Sequence, residues 1–544
     1  MRVKFWKWLL PSAALACTAL TSHLLGLRSE GSAAPSSPHW HVWTVSQMQR
    51  VGKNDGPSAK ASMELWAAGG EYEAFQIVVT AGTDIVEDVD VQASDLVGPK
   101  QARIPASAFT FYREHYININ KSSPDPGYGN RPLGRGWYPD ALIPQLDPAT
   151  HRPTAGSIPS FPFRTAANEN QPIWVDVYVP SGTLSGLYQA NIRVFSKQGS
   201  ISIPVSLHVW NFALPASPTL KSSFGMHEPA LSDPRVHKLL LEHHVMPINI
   251  NSTDSREFQI TKGLNITGLH FWGGSDRKTC RMDSAPAPAR FVAELKNYPR
   301  NLPVYVYPAD EIDPCPNLFQ TVRQWGANMH AADPRIKNLV TMAPVPALFS
   351  DGTTSGRSAV DVWVLLPKLY EPNLQQIRTA QAKGDEIWSY TALVQDPYSP
   401  KWEIDFAPVN YRIMPGFLSQ SLGLTGILYW RVDLWTQLPW QDVYGFTLEK
   451  NYYPGEGMLI YPGNQVGVSS VVPSMRLKWI RKGVEDYEYV ALLKTMGRGD
   501  WAKSRIGRAA TDWRNWTEDT AILESVRQEL GDEIERLSAA RAQK

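Results

Sequence analysis

From about Trp40 to Trp210 apolar and polar positions alternate with period two between turn-rich breaks. The clearest runs are EAFQIVVTAG, DVDVQASDL, FTFYREHYINI, PIWVDVYVPSG and LYQANIRVFSKQGSISIPVSLHVWNF. Alternation places every second side chain on one face of a half-buried strand, so this region predicts an antiparallel β-sandwich. Its clearest hairpin has Gly186 ahead of the first strand and Gly199 at the turn. The stretch KSSPDPGYGNRPLGRGWYPDALIPQLDPATHRP carries too much Gly and Pro for regular structure. A loop that long in a compact domain usually covers a neighbour or serves function, and it is expected at a domain interface.

The pattern changes after FALPASPTLKSSFG, where Pro215 and Pro218 mark a short, stiff linker. Beyond it short apolar runs alternate with helix-like stretches. The strand candidates are KSSFGMHE from Lys221, VMPININ from Val245, ITGLHFWGG from Ile266, VYVYPADE from Val304, NLVTMAP from Asn338, DVWVLLP from Asp361, EIWSYTAL from Glu386 and GILYWRVD from Gly426. About eight such strands are what a closed (β/α)8 TIM-type barrel requires. DPRVHKLLLEH and PNLFQTVRQWGANMHAADP read as helices between them, whereas the stretch around STDSREFQITKG is short, which predicts irregularity. Polar or aromatic residues follow the strands repeatedly: His227 and Glu228, Trp272, Asp310 and Glu311, Tyr390, Trp430, and Asp433. In a barrel they gather on the carboxyl-terminal face, where such folds keep their active sites. GEGMLIYPG is a turn-rich loop. SMRLKWIRKGVEDYEYVALLKTMG is a helix with Met475, Trp479, Val484, Tyr487 and Ala491 near one face, and Arg476, Lys478, Arg481 and Lys482 expected mostly in solvent. The organisation read from the sequence is therefore a leader over 1–34, a sandwich over 40–214, a barrel over 219–475 and a helical extension over 476–544.

The 544 residues suffice for two or more cores. With 53 basic and 52 acidic residues the formal net charge is +1, so no overall field draws nucleic acid or an anionic membrane surface. The 20 Trp, 21 Tyr and 17 Phe supply flat rings for a core or for sugar faces. Arg2, Lys4 and Lys7 precede an apolar stretch from Leu9 to Leu27, followed by Ser32, Ala33 and Ala34, which predicts export with cleavage near Ala34. ALAC ending at Cys17 loosely resembles a lipoprotein box and keeps a lipid anchor as a second reading; an uncleaved anchor is a third. Cys280 and Cys315 remain beyond the leader, an even pair that suggests a disulfide in an oxidising compartment. No CxxC, HExxH or other metal-ligand spacing occurs, so no metal is expected, and neither GxSxG nor a phosphate-cradling Gly-rich loop is present.

VYVYPADEIDPCP ends a strand on two adjacent carboxylates, Asp310 and Glu311. Neighbours on a strand point to opposite faces, so the two can share a pocket only where the strand yields to its loop. A glycosidase needs one carboxyl to protonate the leaving oxygen and a second group at the anomeric centre. For a 2-acetamido sugar the substrate's own carbonyl oxygen can take that second place. One carboxylate then orients the acetamido group and the other works as acid and base. The bland alternative is a solvated strand end before a proline turn, with Asp313 a turn residue accepting backbone hydrogen bonds.

PADEIDP resembles the Asp-Glu motif at a barrel strand end in family 123 glycoside hydrolases. GEYEAFQIVV, GWYPDALIP, SGLYQANIRVF, IPVSLHVWNFALP, DVWVLLP, GILYW, GEGMLIYPG and MRLKWIRKGVEDYEYVALL are similar to that family's recurring blocks, in order from about Glu71 to Leu493. Ile312 and Asp313 are a departure, because the family more often runs from Glu directly to Pro. The resemblance implies an exported β-N-acetylgalactosaminidase with a β-sandwich and a barrel, acting with retention by neighbouring-group participation. Asp310 would hold the acetamido group, and Glu311 would be the acid/base with a raised pKa. Trp430, Tyr390 and Trp272 are candidates to stack on the sugar, and His227, Glu228 and Asp433 to bind hydroxyls. The EDYEY run at 485–489 is assigned to structure. The expected partner is a glycan, and water completes the reaction without a cofactor. Two rival expectations are a glycosidase for sugars lacking an acetamido group and a non-catalytic carbohydrate-binding envelope protein.

Overall fold

The computed structural model describes residues 40–542; the expected leader, with Cys17, lies outside the described residues. Two sheets form the N-terminal part. One is antiparallel, with strands in the order Trp40–Ser46, Glu71–Ala81, Asn170–Val179, Phe109–Ile119 and Gly136–Pro144. The other runs Met63–Gly69, Gly199–Ala213, Gly186–Ser196, Val86–Ala93 and Phe163–Thr165, and its first pair is parallel. The sheets face each other across one core, in which Phe75, Ile77 and Val175 meet Ile192, Val205 and Leu207. Ser196 pairs with Gly199, closing the expected hairpin, and Gly199 takes a φ of +132°.

Part of the Gly/Pro-rich stretch is a strand after all. Gly136–Pro144 is the edge strand of its sheet, laddered with Phe109–Ile119 and bridged at Ala141 to Ser474, so Pro139 and Pro144 need donate to no further strand. The residues before it lie against the second half of the chain. The Asn130 N–H donates to the Pro397 carbonyl (2.8 Å), the Leu133 N–H to the Asp405 carbonyl (2.7 Å), and Ser122 and Ser123 to the Asp405 carboxylate (2.7 Å each).

The second half holds seven parallel strands in the order Lys221–Phe224, Gly426–Tyr429, Glu386–Tyr390, Val362–Leu365, Ile336–Thr341, Val304–Asp310 and Thr267–Gly268. This is a curved, barrel-like sheet, one strand short of the expected eight. The segment from Val245 forms no strand and carries only isolated parallel bridges, Phe224 to Pro247 and Asn249 to Gly268. Pro247 has no N–H, so a ladder cannot run through it. Helices Pro234–Glu242, Ser252–Thr261, Pro288–Leu295, Phe319–Ala332 and Leu374–Ala382 pack outside, while the connection between Ile336–Thr341 and Val362–Leu365 carries a short 3-10 turn and no α-helix.

Helix Met475–Thr495 overturns one expectation: Arg476, Lys478, Arg481 and Lys482 are buried, not solvated. The helix is wedged between the two halves, and its cations meet acids of the sandwich. Arg476 forks onto Asp140 (2.9 and 3.0 Å), Lys478 and Arg481 share Asp176 (2.7 and 2.9 Å), and Lys482 reaches Glu71 (2.9 Å) and Glu73. Asp486, in the EDYEY run, binds Arg412 (2.7 Å) and Arg527 (2.6 Å). Buried charge is tolerated only when paired in this way. Arg476 also donates to the carbonyls of Gly455 (2.8 Å) and Met458, fixing the GEGMLIYPG loop above the sheet.

Candidate active site

A cavity of about 1290 Å³ opens at the carboxyl-terminal ends of the parallel strands, with Asp310 and Glu311 in its wall. Two local irregularities bring these neighbours together. Along Val304–Asp310 the register advances three residues, from Val306 to Ala309, while the facing strand advances two, from Asn338 to Val340. This bulge, at Tyr307–Pro308, shifts the side-chain parity, so that Tyr307 and Asp310 meet on one side. Glu311 then adopts a φ of +46°, a left-handed conformation unusual for a residue with a Cβ. That turn swings its side chain into the cavity beside Asp310. Ile312, the departure from the family pattern, is fully buried in the core and holds the turn from below. Asp313 accepts the Ala343 N–H (3.2 Å), as expected of a turn residue, and it also borders the cavity.

The two carboxylates have separate surroundings. One oxygen of Asp310 accepts the hydroxyls of Tyr307 (2.6 Å) and Thr341 (2.5 Å), and the Asp310 N–H donates to Ser275 Oγ (2.9 Å). Glu311 accepts the Tyr390 hydroxyl at Oε1 (2.6 Å) and pairs with Arg277 at Oε2. Its N–H donates to Thr341 Oγ1 (2.8 Å), so a single hydroxyl ties both acids together. Burial, reinforced by the neighbouring carboxylates, pushes the phenols of Tyr307 and Tyr390 well above their usual range. Both therefore stay protonated and act as donors.

Trp272, Tyr390, Trp430 and His227 also border the cavity. Trp272 is 52% exposed and stands edge-on to Tyr307. Asp433 does not line it, contrary to expectation: it is buried, accepting the His227 N–H (3.1 Å) and pairing with Arg431 (2.9 Å). Its work is to hold the loop that carries His227. Glu228 is exposed and accepts the Ser232 hydroxyl. Cys280 and Cys315 form a disulfide (S–S 2.08 Å) that fastens the segment bearing Trp272, Ser275 and Arg277 to the loop after Glu311. Tyr307, Thr341, Arg277 and Ser275 escaped the sequence reading. Thr341 ends the strand next to Val304–Asp310, so the rule that selected other strand ends applies equally to it.

The sequence profile described as the glycoside hydrolase 123 N-terminal domain matches residues 46–196, and that of the glycoside hydrolase 123 catalytic domain matches residues 322–493. Asp310 and Glu311 fall between the two matched segments. No curated protein matches the chain. Among solved structures, a family 123 glycoside hydrolase from Clostridium perfringens, described for glycolipid glycan hydrolysis, is similar over 92% of this chain and 99% of its own, with 13% identity and a TM-score of 0.63. The β-glucuronidases of Parabacteroides merdae (9% identity, 66% of this chain, 45% of that one) and Bacteroides uniformis (9%, 84%, 52%) each reach a TM-score of only 0.24, too low to carry a structural argument.

Proposed function

The chain belongs to glycoside hydrolase family 123, and on that premise we propose that it removes β-linked N-acetylhexosamine, first of all N-acetylgalactosamine, from glycans with retention of configuration. The observation that carries this reading is the pair of adjacent carboxylates turned into one cavity with different partners. In the first step the 2-acetamido carbonyl oxygen attacks the anomeric carbon, and the bond to the leaving oxygen breaks as Glu311 gives that oxygen its proton. Asp310, held by Tyr307 and Thr341, accepts the acetamido N–H and stabilises the positive charge of the oxazolinium that forms. In the second step water adds to the anomeric carbon while Glu311 takes its proton, and the acetamido group is released intact.

Both oxygens of Glu311 are engaged, one by buried Tyr390 and the other by Arg277, whose side chain is 59% exposed. For a leaving oxygen to reach Glu311 one contact must open, and Arg277 is the one with room to swing. Trp430 and Trp272 offer flat faces to the sugar. The Cys280–Cys315 disulfide supports the expected export from the cytoplasm. A panel of aryl glycosides with and without the 2-acetamido group tests the proposal. Turnover confined to the acetamido sugars, with inhibition by a thiazoline analogue of the oxazoline, is expected; equal turnover of plain glycosides, or no thiazoline inhibition, would refute acetamido participation.

A further inference from the structure

Glu456 lies behind the cavity wall rather than in it, 1% exposed, in the GEGMLIYPG loop. Gly455 and Gly457 on either side adopt φ of +76° and +69°. A Cβ on Gly457 would come within 2.7 Å of the Trp430 ring, and one on Gly455 within 2.6 Å of Ile404. The two glycines thus let the backbone pass flush against the back of Trp430 and turn Glu456 inward. One Glu456 oxygen accepts the Trp430 indole N–H, and the other accepts the Leu393 N–H (3.2 Å). Leu393 is itself left-handed, with φ of +58°, and follows Tyr390 by three residues. It and Trp430 both border the cavity.

Behind Glu456 stands the fully buried carboxyl of Glu403, neither oxygen of which has a hydrogen-bond partner. Two N–H donors already point at Glu456, and no donor points at Glu403. Burial raises both carboxyls, and the nearest cations do not cancel that: Arg476 is forked onto Asp140, and Lys401 is bound to Asp396 and Ser399. Two hydrogen bonds, each of which begins on a cavity wall, converge on this one buried carboxyl of Glu456.

We propose that Glu456 is a positioning residue of the glycosidase reaction: it fixes the Trp430 ring as the plate on which the sugar stacks and pins the turn that follows Tyr390. An indole N–H left free would compete for water in the cavity and let the ring rotate; bound to Glu456, it keeps its apolar face toward the sugar. This role rests on the function proposed above, so wild type and variants are assayed side by side on an aryl β-N-acetylgalactosaminide.

Glu456→Ala is expected to lower kcat/KM at least tenfold, mainly through KM. Glu456→Gln, which keeps an oxygen for the indole, recovers most of that loss. Trp430→Phe, which keeps a ring but deletes the N–H, is expected to raise KM several-fold, and it decides the matter even if Glu456→Ala does not fold. In a double-mutant cycle Trp430→Phe and Glu456→Ala should be less than additive in KM. Absence of turnover in wild type overturns both the function and the role. Wild-type turnover with an unchanged KM in Glu456→Ala or in Trp430→Phe, or full additivity in the cycle, overturns the role alone.

Discussion

Replacing Asp176 by Asn tests how the two halves are joined, because the substitution keeps the shape and removes the one negative charge shared by Lys478 and Arg481. All three side chains are at most 4% exposed. Removing one partner of a buried ionic cluster costs about 3–5 kcal/mol, and the structure divides that cost unequally. Burial, only partly offset by Asp176, already pushes the Lys478 ammonium down to about 8. Without Asp176 it is pushed down further, and the lysine can shed its proton. Its added cost at pH 7 is therefore capped near the single unit between 8 and 7, about 1.4 kcal/mol. Arg481 has no such escape and carries the remaining ~2–4 kcal/mol. If residues His39–Lys544 unfold as one unit, roughly 500 residues at about 2.1 cal/mol/K each convert the loss into a fall of about 3–5 °C in Tm. Calorimetry or urea unfolding reads this directly. Adding Arg481→Met to Asp176→Asn should restore most of the midpoint, and adding Lys478→Met little; an unchanged midpoint in Asp176→Asn, or equal recovery by both additions, would refute the reasoning.

Two further outcomes follow from the sheet. Thr341→Val deletes the hydroxyl that joins the acids and leaves the Glu311 N–H without its acceptor, a penalty of about 1–3 kcal/mol. Steady-state kinetics should show kcat down roughly 10- to 100-fold with KM little changed, and a kcat within twofold of wild type would contradict the role. At the opposite end of the strands Glu386 meets Lys221 (2.6 Å) and Lys337. Burial alone would raise its carboxyl, but the two lysines outweigh burial and hold it at about 2, against an ordinary 4.5. The folded value lies below the unfolded one, so this stabilisation, about 3 kcal/mol, is complete above about pH 4.5 and lost as pH falls toward 2. Melting curves between pH 6 and 3 should fall less steeply for Glu386→Gln than for wild type, and parallel curves would count against the pairing.

What the sequence revealed follows from the range of the interactions involved. The strand from Val304, the hairpin at Gly199 and the helices from Pro234 and Phe319 depend on local periodicity and turn residues, and they stand where the pattern puts them. The eighth strand failed at Pro247, a local signal that the apolar run around it hid. The cations of Met475–Thr495 looked solvated because their partners, Glu71, Glu73, Asp140 and Asp176, lie some 300 to 400 residues earlier. No periodicity within a helix can report such pairing. At the site, strand ends on the carboxyl-terminal face were a sound guide to Trp430, Tyr390 and Trp272 as cavity neighbours, and an incomplete one for Asp433, which braces a loop. The left-handed turn at Glu311 was not visible, because no glycine marks it; the core contact of Ile312 beside it does.

The central claim is that Glu311 gives the leaving oxygen its proton. Hydrolysis of an aryl β-N-acetylgalactosaminide by wild type and by Glu311→Gln measures it directly. General acid catalysis contributes on the order of 10²- to 10⁴-fold, so the variant should lose that much of kcat while keeping its fold by circular dichroism; a Glu311→Gln protein that turns over at the wild-type rate would contradict the account.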